Sequence, residues 1–323
     1  MSEVVENSTH EAPPPEWDGK PYFPISVVYR ERFGTKVVKI PVSIADNCPN
    51  RAGIKGMQTC IFCDEHGSFA YPENQNDELR SQILKHREKV ATRFNASQFL
   101  VYFQAYTTTF TQVKRLEQAF ETALSYDDVK GLVVGTRPDT LSEGVLKLWR
   151  EYAQKTFVGI ELGVQSFDDD QLVWMRRGHT GAQAIKGIER VAREAGVDVG
   201  IHLIFGWPTE TDKQIIETAE LCNSLPITNV KLHNLHVIKN TPLEAFYASG
   251  EFAPVELDLY AHRVALFLER LNPRIAVHRL AALSSRWEEL IAPQWTRHKM
   301  KSYQGIIDLI NERGTWQGKL FRG

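Results

Sequence analysis

The sequence predicts an α/β fold, a partial (β/α)6 barrel of the TIM type followed by a mainly helical C-terminal extension. Three observations carry that expectation. Short runs rich in β-branched and aromatic residues alternate with amphipathic stretches of about 12 to 18 residues, as βαβ units do. Six such runs can be read, too many and too regular for separate hairpins. The polar residues suited to chemistry fall at the ends of those runs, where the loops of a parallel barrel converge.

Taken in order, residues 1–20 are acidic and rich in proline. Pro13, Pro14 and Pro15 interrupt any helix and little apolar surface is available to bury, so a disordered tail is expected. Tyr22 to Arg32 reads as a short aromatic lead-in. Residues 21–250 are assigned to the barrel, with strands expected near 37–44, 98–104, 131–135, 157–162, 198–204 and 229–236. Between them, Leu79, Ile83, Val90 and Phe94 recur at helical spacing after Asn76 and Asp77, whose side chains can cap a helix. Val113, Leu116, Phe120 and Leu124 repeat the pattern behind Thr111. Thr180 opens a third helix that stops at Gly196, and Thr209 to Asp212 resembles a capping box for a fourth. These apolar stripes are the faces that pack on the sheet. Residues 251–323 form the extension, placed as a lid over the barrel mouth. It holds an amphipathic stretch from Leu257 to Leu271, then Arg279, Arg286, Trp287 and Trp295, which could line a polar pocket.

Composition narrows the function classes. The chain has 323 residues, 42% of them hydrophobic, and a formal net charge of −2. That balance argues against a dominant electrostatic grip on nucleic acid. Arg297, His298, Lys299 and Lys301 form one local basic run, more simply a solvated helix face than an RNA contact. No apolar run approaches the ~20 residues that span a bilayer, and the N-terminus is not signal-like, so no membrane contact and a cytoplasmic location are expected. The four cysteines do not make a disulfide framework. Cys222 reads as a small buried hydrophobe.

The other three cysteines cluster between Pro41 and Ser68, in PVSIADNCPNRAGIKGMQTCIFCDEHGS, directly after the first expected strand. Three thiolates in one loop are one short of a closed tetrahedral site. Two readings follow. Cys48, Cys60, Cys63 and His66 could close a structural zinc site in a non-catalytic binding protein. Alternatively the three cysteines hold a cubane cluster whose fourth iron is left for a substrate.

Other strand ends supply Gln104 to Thr107, Arg137, Glu161 and Gln165 with Ser166, while His202 lies along the fifth strand. A carboxylate amid Phe157, Val158, Ile160 and Leu162 is costly to bury without a partner, which points to a role for Glu161. Arg137 could simply pair with a carboxylate at a turn. His202 alone would read as a satisfied core histidine. His233 and His236 do not share one strand face under strict alternation, which favours polar substrate contact over a metal.

The segments CPNRAGIKGMQTCIFC at 48–63, FQAYTTTF at 103–110, TRPD at 136–139, ELGVQSF at 161–167, RGHT at 177–180 and HLIFGWPTET at 202–211 together resemble the radical S-adenosylmethionine (radical SAM) superfamily. The nearest branch is that of the elongator catalytic subunit and the bacterial YhcC/YtqA-type proteins. The long gap between Cys48 and Cys60 departs from the superfamily's commonest spacing and suits this branch. The resemblance implies a [4Fe–4S] cluster on Cys48, Cys60 and Cys63, with S-adenosyl-L-methionine (SAM) chelating the fourth iron. It further implies cofactor contacts from Phe62 near the adenine and from Gln104, Tyr106 and Thr107 at the methionine end, although the usual glycine pair is missing there. Glu161 and Gln165 would hold the ribose and methionine, with His202 alongside, and Phe205 would sit beside the adenine. Reductive cleavage of SAM would give a 5′-deoxyadenosyl radical, with flavodoxin or ferredoxin as electron donor. The implied substrate is a wobble-uridine side chain of tRNA, from which YtqA-like members would remove the carboxymethyl portion of a carboxymethylaminomethyl group. A small metabolite is the alternative substrate.

Overall fold

A computed structural model describes residues 13–14, 17–67, 69–282 and 287–323 of the chain. Six strands pair in sequence order, all parallel: β1 (Val37–Val42), β2 (Gln98–Phe103), β3 (Val129–Thr136), β4 (Phe157–Gln165), β5 (Asp198–Phe205) and β6 (Asn229–Asn234). All six lie where the sequence places them, with ends shifted by one to three residues. A seventh, β8 (Ala276–Val277), extends the sheet beyond β6. Two residues are too short a run for any periodicity to mark. A separate antiparallel pair joins β7 (Val237–Ile238) to β9 (Leu290–Ala292). The curled parallel sheet with an outer helical layer is the expected partial barrel.

Alternation along the strands divides the molecule into two faces. Outward residues such as Ile40, Phe103, Val134, Ile160, Leu203 and Leu232 pack on the helices in one continuous core. The helical side comes from α2 (Leu79–Phe94), α3 (Val113–Leu124), α4 (Glu143–Ala153), α6 (Gly181–Ala195) and α7 (Asp212–Ser224), through Ile83, Phe120, Trp149, Ile188 and Ile215. Fully buried side chains of this kind stabilise the fold by about 1.5–3 kcal/mol each. On the inner face, Val37, Leu100, Tyr102 and Val133 meet Tyr29 of α1 (Ile25–Phe33). That apolar plug closes the N-terminal end of the barrel and leaves the other end open.

Local details differ from the sequence reading at several points. The aromatic lead-in is the helix α1. Of the expected tail, residues 1–12 and 15–16 lie outside the described residues. Trp17, however, is 3% exposed and stacks on Phe23, so chain order begins before residue 21. Asn76 and Asp77 do not cap α2, which starts after Glu78 without a side-chain cap, and Asp77 instead pairs with Lys85. Thr180 caps α6 with Gln183 in a reciprocal capping box, and Gly196 ends that helix at φ 64°. The fourth helix is capped by Thr211 with Gln214 rather than from Thr209.

The C-terminal part packs α9 (Leu257–Arg270) against α7 and α10 (Lys299–Glu312) against α9. Two shorter helices, α5 (Asp169–Trp174) and α8 (Pro242–Ala248), sit near the open end of the barrel. Their Leu172 and Leu243 join Ile61, Ile204, Leu235, Val237 and Phe252 in a second apolar cluster. Among the described residues no helix is long and apolar enough to cross a membrane.

Candidate active site

The cysteine loop leaves the C-terminal end of β1 and is pinned by what surrounds it. Ile61, between Cys60 and Phe62, is fully buried in the second cluster, donates its N–H to the Met175 carbonyl at 3.3 Å and accepts from the Leu243 N–H at 2.9 Å. Asn50 is buried and donates to the carbonyls of Gln58 (2.8 Å) and Arg176 (2.6 Å), while its side-chain oxygen accepts from Arg137. Arg137 grips Asp139 through two bonds of 2.9 and 2.7 Å, the carboxylate at a turn. Met57 lies against Gly178, where a Cβ would meet its sulfur at 2.5 Å. The TRPD turn and the RGHT turn therefore clamp the loop from two sides.

Cys48, Cys60 and Cys63 line one cavity of about 330 Å³ at the C-terminal ends of the strands. Two thiol sulfurs receive hydrogen bonds: Cys48 Sγ from the Arg51 N–H at 3.4 Å and Cys60 Sγ from Arg177 Nη1 at 3.3 Å. Burial, with Cys60 and Asp64 nearby, pushes the Cys63 thiol up to about 12 in the metal-free chain, and a coordinated metal would displace that proton outright. Three soft donors around one cavity, flanked by Arg177 and Arg51, fit the negative charge of a thiolate-bound iron–sulfur cluster. His66 does not join them. It turns to Gln75 (3.3 Å) and Glu65 (3.6 Å), and among the described residues no three His, Cys, Asp or Glu side chains converge on a single-ion position. In this structure His66 is therefore not gathered with the three sulfurs.

Of the other residues singled out in the sequence, Phe62, Gln104, Tyr106, Thr107, Glu161, Gln165 and His202 all line the cavity. Tyr106 at φ 54° and Gln165 at φ 70° hold left-handed backbone, conformations that cost free energy and cluster at working sites. The Tyr106 ring lies where a Cβ on Gly67 would be, 2.5 Å away, and its hydroxyl donates to the Glu65 carbonyl. Phe205 is a correction. Odd-numbered β5 residues face the helices, and Phe205 packs edge-on against Phe267 of α9 at 5.4 Å, away from the cavity. In the extension, Arg279 lines the cavity, whereas Trp295 packs on Tyr260 and bonds the Val255 carbonyl. Trp287 is exposed, and Arg286 lies outside the described residues.

Deeper in the barrel the inward positions carry charge. Glu161 is bonded by Lys39, by Lys231 at 3.0 Å and by His202 at 2.7 Å, with His278 at 3.6 Å. Burial would raise its pKa, yet Lys231, Lys39, His278 and the His202 hydrogen bond hold it well below its ordinary value. Arg279 donates to His233 at 2.7 Å, and that ring lies 4.9 Å from His202. Burial and Lys231 bring His202 down to about 4, and burial with Arg279 keeps His233 neutral as well. Both His233 and His236 line the cavity, because β6 ends at Asn234 and the alternation that would separate them stops there. Sequence reasoning missed Lys39, Lys231 and His278. A lysine in the middle of the apolar runs VVKIPV and NVKLHN was the available signal.

The sequence profile of the radical SAM superfamily matches residues 42–222, and that of the radical SAM C-terminal domain matches residues 227–312. The chain belongs to the radical SAM superfamily. It is similar to YtqA of Bacillus subtilis, 31% identical over 303 residues that cover 94% of each chain. A shorter stretch of 129 residues, 38% of this chain and 23% of the relative, is 32% identical to a tRNA uridine(34) acetyltransferase of Methanocaldococcus infernus. Among solved structures the fold resembles archaeal Elp3 of M. infernus with a TM-score of 0.64 at 15% identity, covering 87% of this chain and 64% of that one. Radical SAM membership implies SAM and a [4Fe–4S] cluster as cofactors, and the enzyme class is that of a radical SAM enzyme.

Proposed function

We propose that Cys48, Cys60 and Cys63 hold a [4Fe–4S] cluster at which SAM is cleaved, and that the enzyme acts on a wobble-uridine side chain of tRNA. The observation that carries the first part is the convergence of the three cysteines on one cavity at the strand ends of a radical SAM barrel. When bound, the cluster and SAM supply a 5′-deoxyadenosyl radical by one-electron cleavage of the sulfur–C5′ bond. The chain's own residues bind and shield. Ile61 and Asn50 fix the cysteine loop, Arg177 and the Arg51 N–H hold negative charge on sulfur, and Phe62 with Tyr106 gives the cavity an apolar wall. Gln104, Thr107 and Gln165 offer hydrogen-bonding groups to a bound nucleoside or amino acid end. A buried cavity open at one end limits water near a reactive intermediate. The tRNA substrate rests on the similarity to the tRNA uridine(34) acetyltransferase. Flavodoxin or ferredoxin is the proposed electron donor.

The test is anaerobic reconstitution with iron and sulfide, reduction with SAM present, and chromatography for 5′-deoxyadenosine, with Cys60→Ala as control. Wild type is expected to yield 5′-deoxyadenosine and the variant none. A protein that takes up zinc and no cluster would overturn the reading. Transfer RNA with a modified wobble uridine, converted by wild type and untouched by the variant, would establish the substrate.

A further inference from the structure

The floor of the cavity carries more positive charge than its carboxylate can answer. Among the described residues, Lys39, Lys231 and Arg279 face Glu161 alone, and Glu161 is already bonded to both lysines and to His202. Arg279 has no salt-bridge partner among the described residues. One Nη donates to His233, and its Nε, buried, meets no acceptor among the described residues. Arg137 is answered by Asp139, and Arg177, whose Nε also has no partner among the described residues, gives both Nη atoms to acceptors, the Cys60 sulfur and the Gly163 carbonyl. A buried N–H with no acceptor is costly unless something that accepts hydrogen bonds arrives.

We propose that Lys231, His233 and Arg279 form the seat for an oxyanion on the substrate, a carboxylate or a phosphate monoester, held at the floor of the cavity by β6 and the residues after β8. A planar guanidinium offers such an oxyanion paired, directed donors, which a free cation in solvent would not. Lys231 lies two residues before His233 on the same inward face of β6, and Arg279 reaches His233 from the neighbouring edge, so the three surround one point. The depression of Lys231 to about 7 by burial, Arg279 and Lys39, against Glu161, is the signature of unanswered positive charge at the same place. This inference rests on the radical SAM reading for the identity of the bound molecule as substrate, but not for the binding itself.

The full-length chain, with and without reconstituted cluster, is titrated with acetate and with inorganic phosphate. Binding is followed by 13C and 31P line broadening. Saturable broadening by acetate alone supports a carboxylate substrate, and by phosphate alone a phosphate monoester. Broadening by neither overturns the proposal. Arg279→Gln is expected to weaken the anion that binds by about tenfold or more, Lys231→Met in the same direction, and Arg279→Lys to keep part of the affinity. Variants are compared only where their thermal unfolding shows a cooperative transition. An Arg279→Gln protein that binds anions as wild type does, or that loses SAM affinity instead, would also overturn it. Cys60→Ala should retain anion binding while yielding no 5′-deoxyadenosine, so failure of the cofactor reading and failure of the anion seat are read separately.

Discussion

Arg177 touches both ends of the chemistry through single bonds, one Nη to the Cys60 sulfur at 3.3 Å and the other to the Gly163 carbonyl at 2.8 Å. Hydrogen bonds and positive charge beside a cluster sulfur raise the reduction potential. Arg177→Gln is therefore expected to assemble the cluster yet lower its potential by tens of millivolts, measured by potentiometric titration. An unchanged potential would reduce Arg177 to a structural tie. Lys231 gives the second residue-scale prediction. Facing it are Lys39, Tyr102, Glu161, His202, His233, His278 and Arg279. Glu161, His202, His233 and His278 are held below their ordinary ranges and Tyr102 above its own, while Lys39 is raised and Arg279 lowered but still a guanidinium. Lys231, at about 7, is the group left to titrate between pH 6 and 8. Oxyanion affinity should fall as pH rises through about 7, and Lys231→Met should flatten that profile. The linkage sign for stability is the reverse. A lysine depressed in the folded state binds fewer protons than in the unfolded chain between about pH 7 and its ordinary value, so this group's contribution rises with pH across that window.

At the scale of the element, the helix α6 shows how a packing device reaches the site. Gly187 lies so close to the TRPD turn that a Cβ there would sit 2.4 Å from the Pro138 carbonyl oxygen, which is backbone and cannot swing aside. Gly187→Ala should cost about 1–3 kcal/mol in urea unfolding. Because Arg137 in that turn holds Asn50 and so the cysteine loop, the variant should also bind less cluster per chain by iron and absorbance analysis. A variant with lowered stability and full cluster loading would break the proposed connection between turn and loop. Elements of this kind were legible in the sequence where a local rule decides them: Thr180 with Gln183 and the stop at Gly196 follow from capping chemistry alone. The cap of α2 was not legible, since the Asp77 carboxylate is taken by Lys85 and the Asn74 amide of the preceding turn. The three cysteines declared themselves by type and spacing. Phe205 could not be placed from its motif, because which face a strand residue takes depends on register, and one residue of slip reverses it.

At the scale of the whole molecule, the open edge of the sheet is where the C-terminal extension completes the cavity. β8 contributes only Ala276 and Val277 to the sheet, yet His278 and Arg279 follow directly and both face the interior. So short a strand cannot hold its own position. Gln317, 1% exposed, does so from the far end of the chain: its amide donates to the carbonyls of Asn272 (2.9 Å) and Ile275 (2.8 Å), and its carbonyl oxygen accepts from the Phe23 N–H at 2.9 Å. One side chain thereby joins the segment before α1, the turn into β8 and the C-terminus. Sequence separation hid this, for nothing local links residues 23, 275 and 317, although the extension read as a lid whose Arg279 could line a pocket. Gln317→Leu leaves the Phe23 N–H and the Ile275 carbonyl without their partner, the Asn272 carbonyl keeping the Ile275 N–H, and it should cost about 2–3 kcal/mol in urea unfolding. The loss should not stay local. With β8 loosened, Arg279 is no longer held beside His233, so the variant should bind the oxyanion probe several-fold more weakly under conditions where it remains folded, while Cys60 and the cysteine loop, pinned by Ile61 and Asn50 through contacts that do not include β8, still assemble a cluster. Equal loss of cluster and anion binding would mean instead that the barrel opens as one unit, and that the extension supports the whole site rather than its floor.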